Sequence, residues 1–111
     1  MKRTIIFSKN AEQSLANILE YLEFKWSTKV KEQFIKKLDQ SVYLIQTNPD
    51  TFPKSQINKN QYRCVVTKQT TLYYRYNSKE IWILSLFDTR QDPTKIKKIN
   101  TDPEYLGELD N

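Results

Sequence analysis

The sequence predicts an α+β domain in the order β-α-α-β-β-β, a helical hairpin packed on one face of a mainly antiparallel sheet, with a short C-terminal helix after the last strand. Three observations carry this. Two apolar stripes of helical spacing follow each other between residues 11 and 45 with almost no linker. Three strand-like runs, YRCVVT (62–67), TLYYRY (71–76) and EIWILSLF (80–87), are separated only by KQT and NSK, short enough for hairpins. The last run is apolar on both alternating faces, the composition of a strand covered on both sides, so it belongs in the middle of the sheet.

The elements follow in order. Residues 3–7 (RTIIF) are rich in β-branched and aromatic side chains and read as a strand. Ser8 or Asn10 then offers an N-cap, with Gln13 three residues after Asn10. Ala11, Leu15, Ile18, Leu19, Leu22 and Trp26 form the stripe of the first helix. Ser27 or Thr28 caps the second, whose stripe is Val30, Phe34, Leu38, Val42 and Ile45 and which stops at Asn48-Pro49, where proline disfavours helical geometry. Residues 48–61 form a long loop of the kind often used in function, with Phe52 as its anchor into the core. Alternation puts Leu72, Tyr74 and Tyr76 under the helices and Arg63, Tyr73 and Arg75 on the opposite, open face. Pro93 suits the first position of the short last helix, with Asp92 as its cap.

At 111 residues the chain supports one core, and 38% hydrophobic content with 13% aromatic residues excludes a disordered segment. No apolar run approaches a membrane span, and that of MKRTIIFSKN is too brief for a signal peptide, so the expected location is cytoplasmic with no membrane partner. The lone Cys64 excludes an intrachain disulfide and reads as a small core residue; Trp26 and Trp82 read as core as well. No metal or cofactor is expected. The chain holds 18 Lys and Arg against 13 Asp and Glu, and four of those acids, Asp102, Glu104, Glu108 and Asp110, fall in residues 101–111, which contain no base. Without that acidic tail the net charge is +9, a balance that attracts nucleic acid or an acidic protein in a salt-dependent way.

Function is best mounted where the central strand ends in DTRQDP (88–93), because a rigid element holds a binding residue at its rim. Arg90 and Gln91 there, Lys95 and Lys98 beyond, and Arg63, Tyr73 and Arg75 on the open face form the candidate contact set. Guanidinium and phenol groups in that mixture suit phosphates, stacked bases or an acidic peptide. Each has a plainer reading beside it. Arg90 with Asp88 or Asp92 makes a turn-fixing ion pair, Arg75 makes a cross-strand pair with Glu80 or with another strand, and the tyrosines pack the sheet.

Three pieces resemble the RelE/ParE toxin superfamily of bacterial toxin–antitoxin systems: IIFSKNAEQSLANILEYL (5–22), QYRCVVTKQTTLYYRY (61–76) and ILSLFDTRQDPTKI (83–96). Their order and spacing and the DTRQDP terminus carry the likeness, which spans residues 2–99. The resemblance implies a single toxin domain over residues 1–99, with the open sheet face and C-terminal region wrapped by a cognate antitoxin. The acidic tail, residues 100–111, is not part of the common pattern. It reads either as a frayed terminus or as a segment that folds back over the basic face.

The superfamily holds two activities. RelE-like members cleave mRNA in the ribosome, which needs a base, cations for the phosphate and an acid for the leaving oxygen. Arg63 and Arg90 match two of the basic positions and would be the catalytic residues of such a nuclease. Val65 stands where the resemblance calls for lysine, Thr71 near an expected arginine and Ile96 where a tyrosine would act. These departures favour the ParE-like branch, whose members poison DNA gyrase by protein contact. Ribosome-dependent cleavage of mRNA is the alternative.

Overall fold

Ser8 starts the first helix. Its Oγ accepts a hydrogen bond from Ala11 N at 3.0 Å, satisfying one of the donors a helix N-terminus leaves open. The computed structural model describes residues 2–56 and 60–90. Its elements are β1 (Thr4–Phe7), α1 (Lys9–Lys25), α2 (Thr28–Thr47), β2 (Tyr62–Val65), β3 (Thr70–Tyr76) and β4 (Glu80–Asp88). The expected short C-terminal helix and the acidic tail lie outside the described residues. No helix among those described is long and apolar enough to cross a membrane.

Ser27 caps α2 in the same way, accepting from Val30 N at 3.1 Å, so Trp26 and Ser27 alone join the two helices. Trp26 is 58% exposed, a correction to its expected place in the core. Its spacing from Leu22 is helical, but α1 ends at Lys25 and the backbone of Trp26 has left the helical path. A residue four positions on therefore no longer falls on the buried stripe.

The sheet order is β1-β4-β3-β2, with β1 parallel to β4 and the other pairs antiparallel. β4 is thus an inner strand, as its two-sided apolar pattern requires. Ala11, Ile18 and Leu22 of α1 and Phe34, Leu38 and Ile45 of α2 close over Cys64, Leu72, Tyr74, Ile81, Ile83 and Leu86. Burial pushes the Cys64 thiol above its ordinary value, against a hydrogen bond with Ser41 that lowers it. Cys64 is therefore a core residue and a poor nucleophile.

The loop after α2 closes one edge of the sheet. Pro53 O accepts from Arg63 N at 2.8 Å, Ser55 N donates to Gln61 O at 2.8 Å, and Lys54 bridges to Tyr62. Phe52 meets the Tyr74 ring edge-on at a centroid distance of 6.4 Å, the expected anchor, and Tyr74 donates its hydroxyl hydrogen bond to Pro49 O. This segment blunts a β edge that would otherwise pair with another chain.

A bulge interrupts the pairing of β3 with β4. Tyr73 pairs with Ser85 and Tyr74 with Ile83, leaving Leu84 as the extra residue. The carbonyl it frees accepts from Ser8 Oγ at 2.9 Å and Asn10 Nδ2 at 3.2 Å, which ties the start of α1 to the central strand. The bulge also moves Leu86 and Asp88, instead of Ser85 and Phe87, to the helix side.

Candidate functional site

Two places hold the expected residues, on opposite sides of the sheet. The first is the exit of β4. Asp88 is fully buried, opposite Thr70 on the helix side, and its carboxylate accepts from the Thr70 hydroxyl. It also accepts from Arg90 N at 2.8 Å, Arg90 Nε at 3.2 Å and Arg90 Nη2 at 2.9 Å. A carboxylate taken out of water needs such partners, and a bidentate guanidinium is the strongest available. Arg90 is thus first an anchor for a buried charge, with a fifth of its side chain open to solvent. Thr89 N donates to Gln69 O at 2.9 Å and fixes the same corner.

The second place is the open face. Register puts Arg63 opposite Tyr73 and Tyr73 opposite Ser85, with Val65, Thr71 and Phe87 in the next row and Arg75 opposite Trp82. Arg63 is half-buried and Arg75 exposed, whereas Tyr73 keeps only 6% of its surface and supports the face from within. The expected cross-strand pair of Arg75 with Glu80 is replaced: the guanidinium lies 5.2 Å from the centroid of the Trp82 ring. Trp82 is correspondingly half-buried on the open face and not in the core, because it alternates with Ile81 and Ile83, which are. Val65, 64% exposed, extends the apolar part of this surface. Gln91, Lys95 and Lys98 lie outside the described residues.

Arg63 and Arg90 are not brought together. One stands on the open face, while the other is held at a carboxylate on the helix side. Among the described residues no group of three His, Cys, Asp or Glu side chains could hold a metal ion. What the open face presents is two cations, one of them over an indole ring, among apolar side chains. Sequence reading missed Thr70 and Trp82 as parts of these sites. A threonine facing Asp88 across a strand pair is a signal for the first, but only once the bulge is known.

A family model for the ParE toxin of type II toxin–antitoxin systems, parDE, matches residues 5–93, and the chain belongs to this family. In fold it is similar to a chain of the chromosomal ParDE toxin–antitoxin system of P. aeruginosa, with a TM-score of 0.66 at 12% identity over 79% of this chain and 97% of that one. It is also similar to a chain of the E. coli DinJ-YafQ toxin–antitoxin complex (TM-score 0.55, 15% identity, 79% and 93% covered). The YoeB dimer from Staphylococcus aureus compares at a TM-score of 0.56, 16% identity and coverage of 78% and 97%. Comparison with curated proteins found no match.

Proposed function

We propose that the chain is a cytoplasmic toxin that inhibits DNA gyrase through protein contacts and is neutralised by a cognate antitoxin. The separation of the two candidate arginines carries this reading. Cleavage of RNA needs cations and proton-transfer groups converging on one phosphate. Here Arg90 neutralises Asp88, and Arg63 lies on the other side of the sheet. The open face, with Arg63, Arg75 and Trp82 around Tyr73, suits a protein surface that carries carboxylates. A separate contact at the strand exit is assigned to the open fifth of Arg90 and, from the sequence alone, to Gln91, Lys95 and Lys98.

The test adds the purified chain to a gyrase supercoiling reaction and, separately, to ribosomes translating a defined mRNA. Supercoiling falls and the mRNA stays intact. Arg63→Ala and Arg75→Ala weaken the inhibition without changing the unfolding midpoint. Codon-positioned cleavage of the mRNA, lost in Arg63→Ala, would replace this reading with the RelE-like one.

A further inference from the structure

We propose that the acidic segment 101–111 is an intramolecular ligand for the open face and competes there with any partner; this rests on the reading of that face as the contact surface. The face has cations in need of counter-charge. Among the described residues neither Arg63 nor Arg75 is in an ion pair, the two present being Lys31 with Glu23 and Arg90 with Asp88. Segment 101–111 supplies four carboxylates, no base, and the apolar Tyr105, Leu106 and Leu109. That composition answers arginines set beside Val65 and Trp82.

On the helical side the lysines at 9, 25, 29, 31, 36 and 37 are interspersed with Glu12, Glu20, Glu23, Glu32 and Asp39, so carboxylates docking there would meet five acids, whereas the two arginines of the open face stand against Glu80 alone among the described acids. Reach is sufficient. From Arg90 to the segment the connecting residues span up to roughly 36 Å when extended, and less where the chain turns or coils, against about 10 Å across the sheet from β4 to β2. A short tether also raises the local concentration of the segment to the order of millimolar, so weak and salt-sensitive contacts are enough to occupy the face.

The experiment uses the full chain with Trp26→Phe, which leaves Trp82 as the one tryptophan. Acrylamide quenching of Trp82 is compared between that chain and a variant carrying Asp102→Asn, Glu104→Gln, Glu108→Gln and Asp110→Asn. The expected result is a quenching constant about twofold higher in the neutralised variant at about 20 mM NaCl, a difference that disappears near 500 mM as screening takes over. Arg63→Gln in the acidic chain raises the constant in the same direction. Equal constants at low salt overturn the proposal, as does a difference that grows with protein concentration, the mark of docking between molecules. No target is present in the assay, so the result stands apart from whether gyrase is inhibited.

Discussion

Replacing Arg90 with alanine removes both side-chain bonds to Asp88 and leaves a fully buried carboxylate with the Thr70 hydroxyl and one backbone N–H. Breaking a buried pair from one side costs about 3–5 kcal/mol. The exposed fifth of the Arg90 side chain and the two surviving donors reduce this to roughly 2–3 kcal/mol. With a urea slope of about 1.5 kcal/mol per M, the unfolding midpoint falls by about 1–2 M at unchanged slope. Urea melts of Arg90→Ala, Asp88→Asn and the double variant measure it, and the double-mutant cycle should return a coupling above about 1 kcal/mol. A midpoint shift below about 0.3 M would show that the pair behaves as an exposed one and refute the reasoning. The melt also governs how activity data are read. Loss of toxicity in Arg90→Ala reports a contact only if the fold has survived.

Three further outcomes are expected. Tyr74→Phe leaves the Pro49 carbonyl without its hydroxyl donor at a fully buried position and costs about 1 kcal/mol in a chemical melt; a neutral result would mean that water replaces the donor. Trp26→Ala changes stability by less than about 0.5 kcal/mol, because the side chain is mostly exposed at the hairpin tip, and a loss near 3 kcal/mol would place it in the core after all. Burial raises Cys64 from its ordinary value of 9.0, and burial with the neighbouring Cys64, Tyr76 and Tyr62 raises Tyr74 from 10.0. The unfolded chain loses these protons first, so their contribution is whole below about pH 9 and declines as pH rises beyond it. Stability measured from pH 8 to 11 should fall, less steeply in Tyr74→Phe, and a flat profile contradicts this.

Most of the architecture was legible because each element has a local cause. Periodicity located α1 and α2, serines in front of each stripe marked their starts, and hairpin spacing ordered β2, β3 and β4. What was not legible depends on chain paths that alternation cannot see. The apolar run 81–87 gives no hint that Leu84 is an extra residue, so Asp88 could not be assigned to the helix side. The stripe reaching Trp26 continues past the last helical turn. Arg75 faces Trp82 through the register that the turn closed by Asn77 N and Glu80 O sets, on the hairpin side of the bulge. The candidate residues were identifiable by type, while the separation of Arg63 from Arg90 on two sides was a property of the folded sheet.

That bulge makes the destination of the exit segment a matter of counting. With Phe87 deleted, strand alternation would deliver Asp88 to the side that now holds Phe87 and Arg90 would follow it toward Arg63, whereas loss of Leu84 would remove only the extra residue and leave Asp88 on the helix side. Every other side chain would keep its identity. A single-codon deletion is therefore enough to turn an anchored exit arginine into one displayed on the open sheet, a change that no series of point substitutions at Arg90 itself can reproduce.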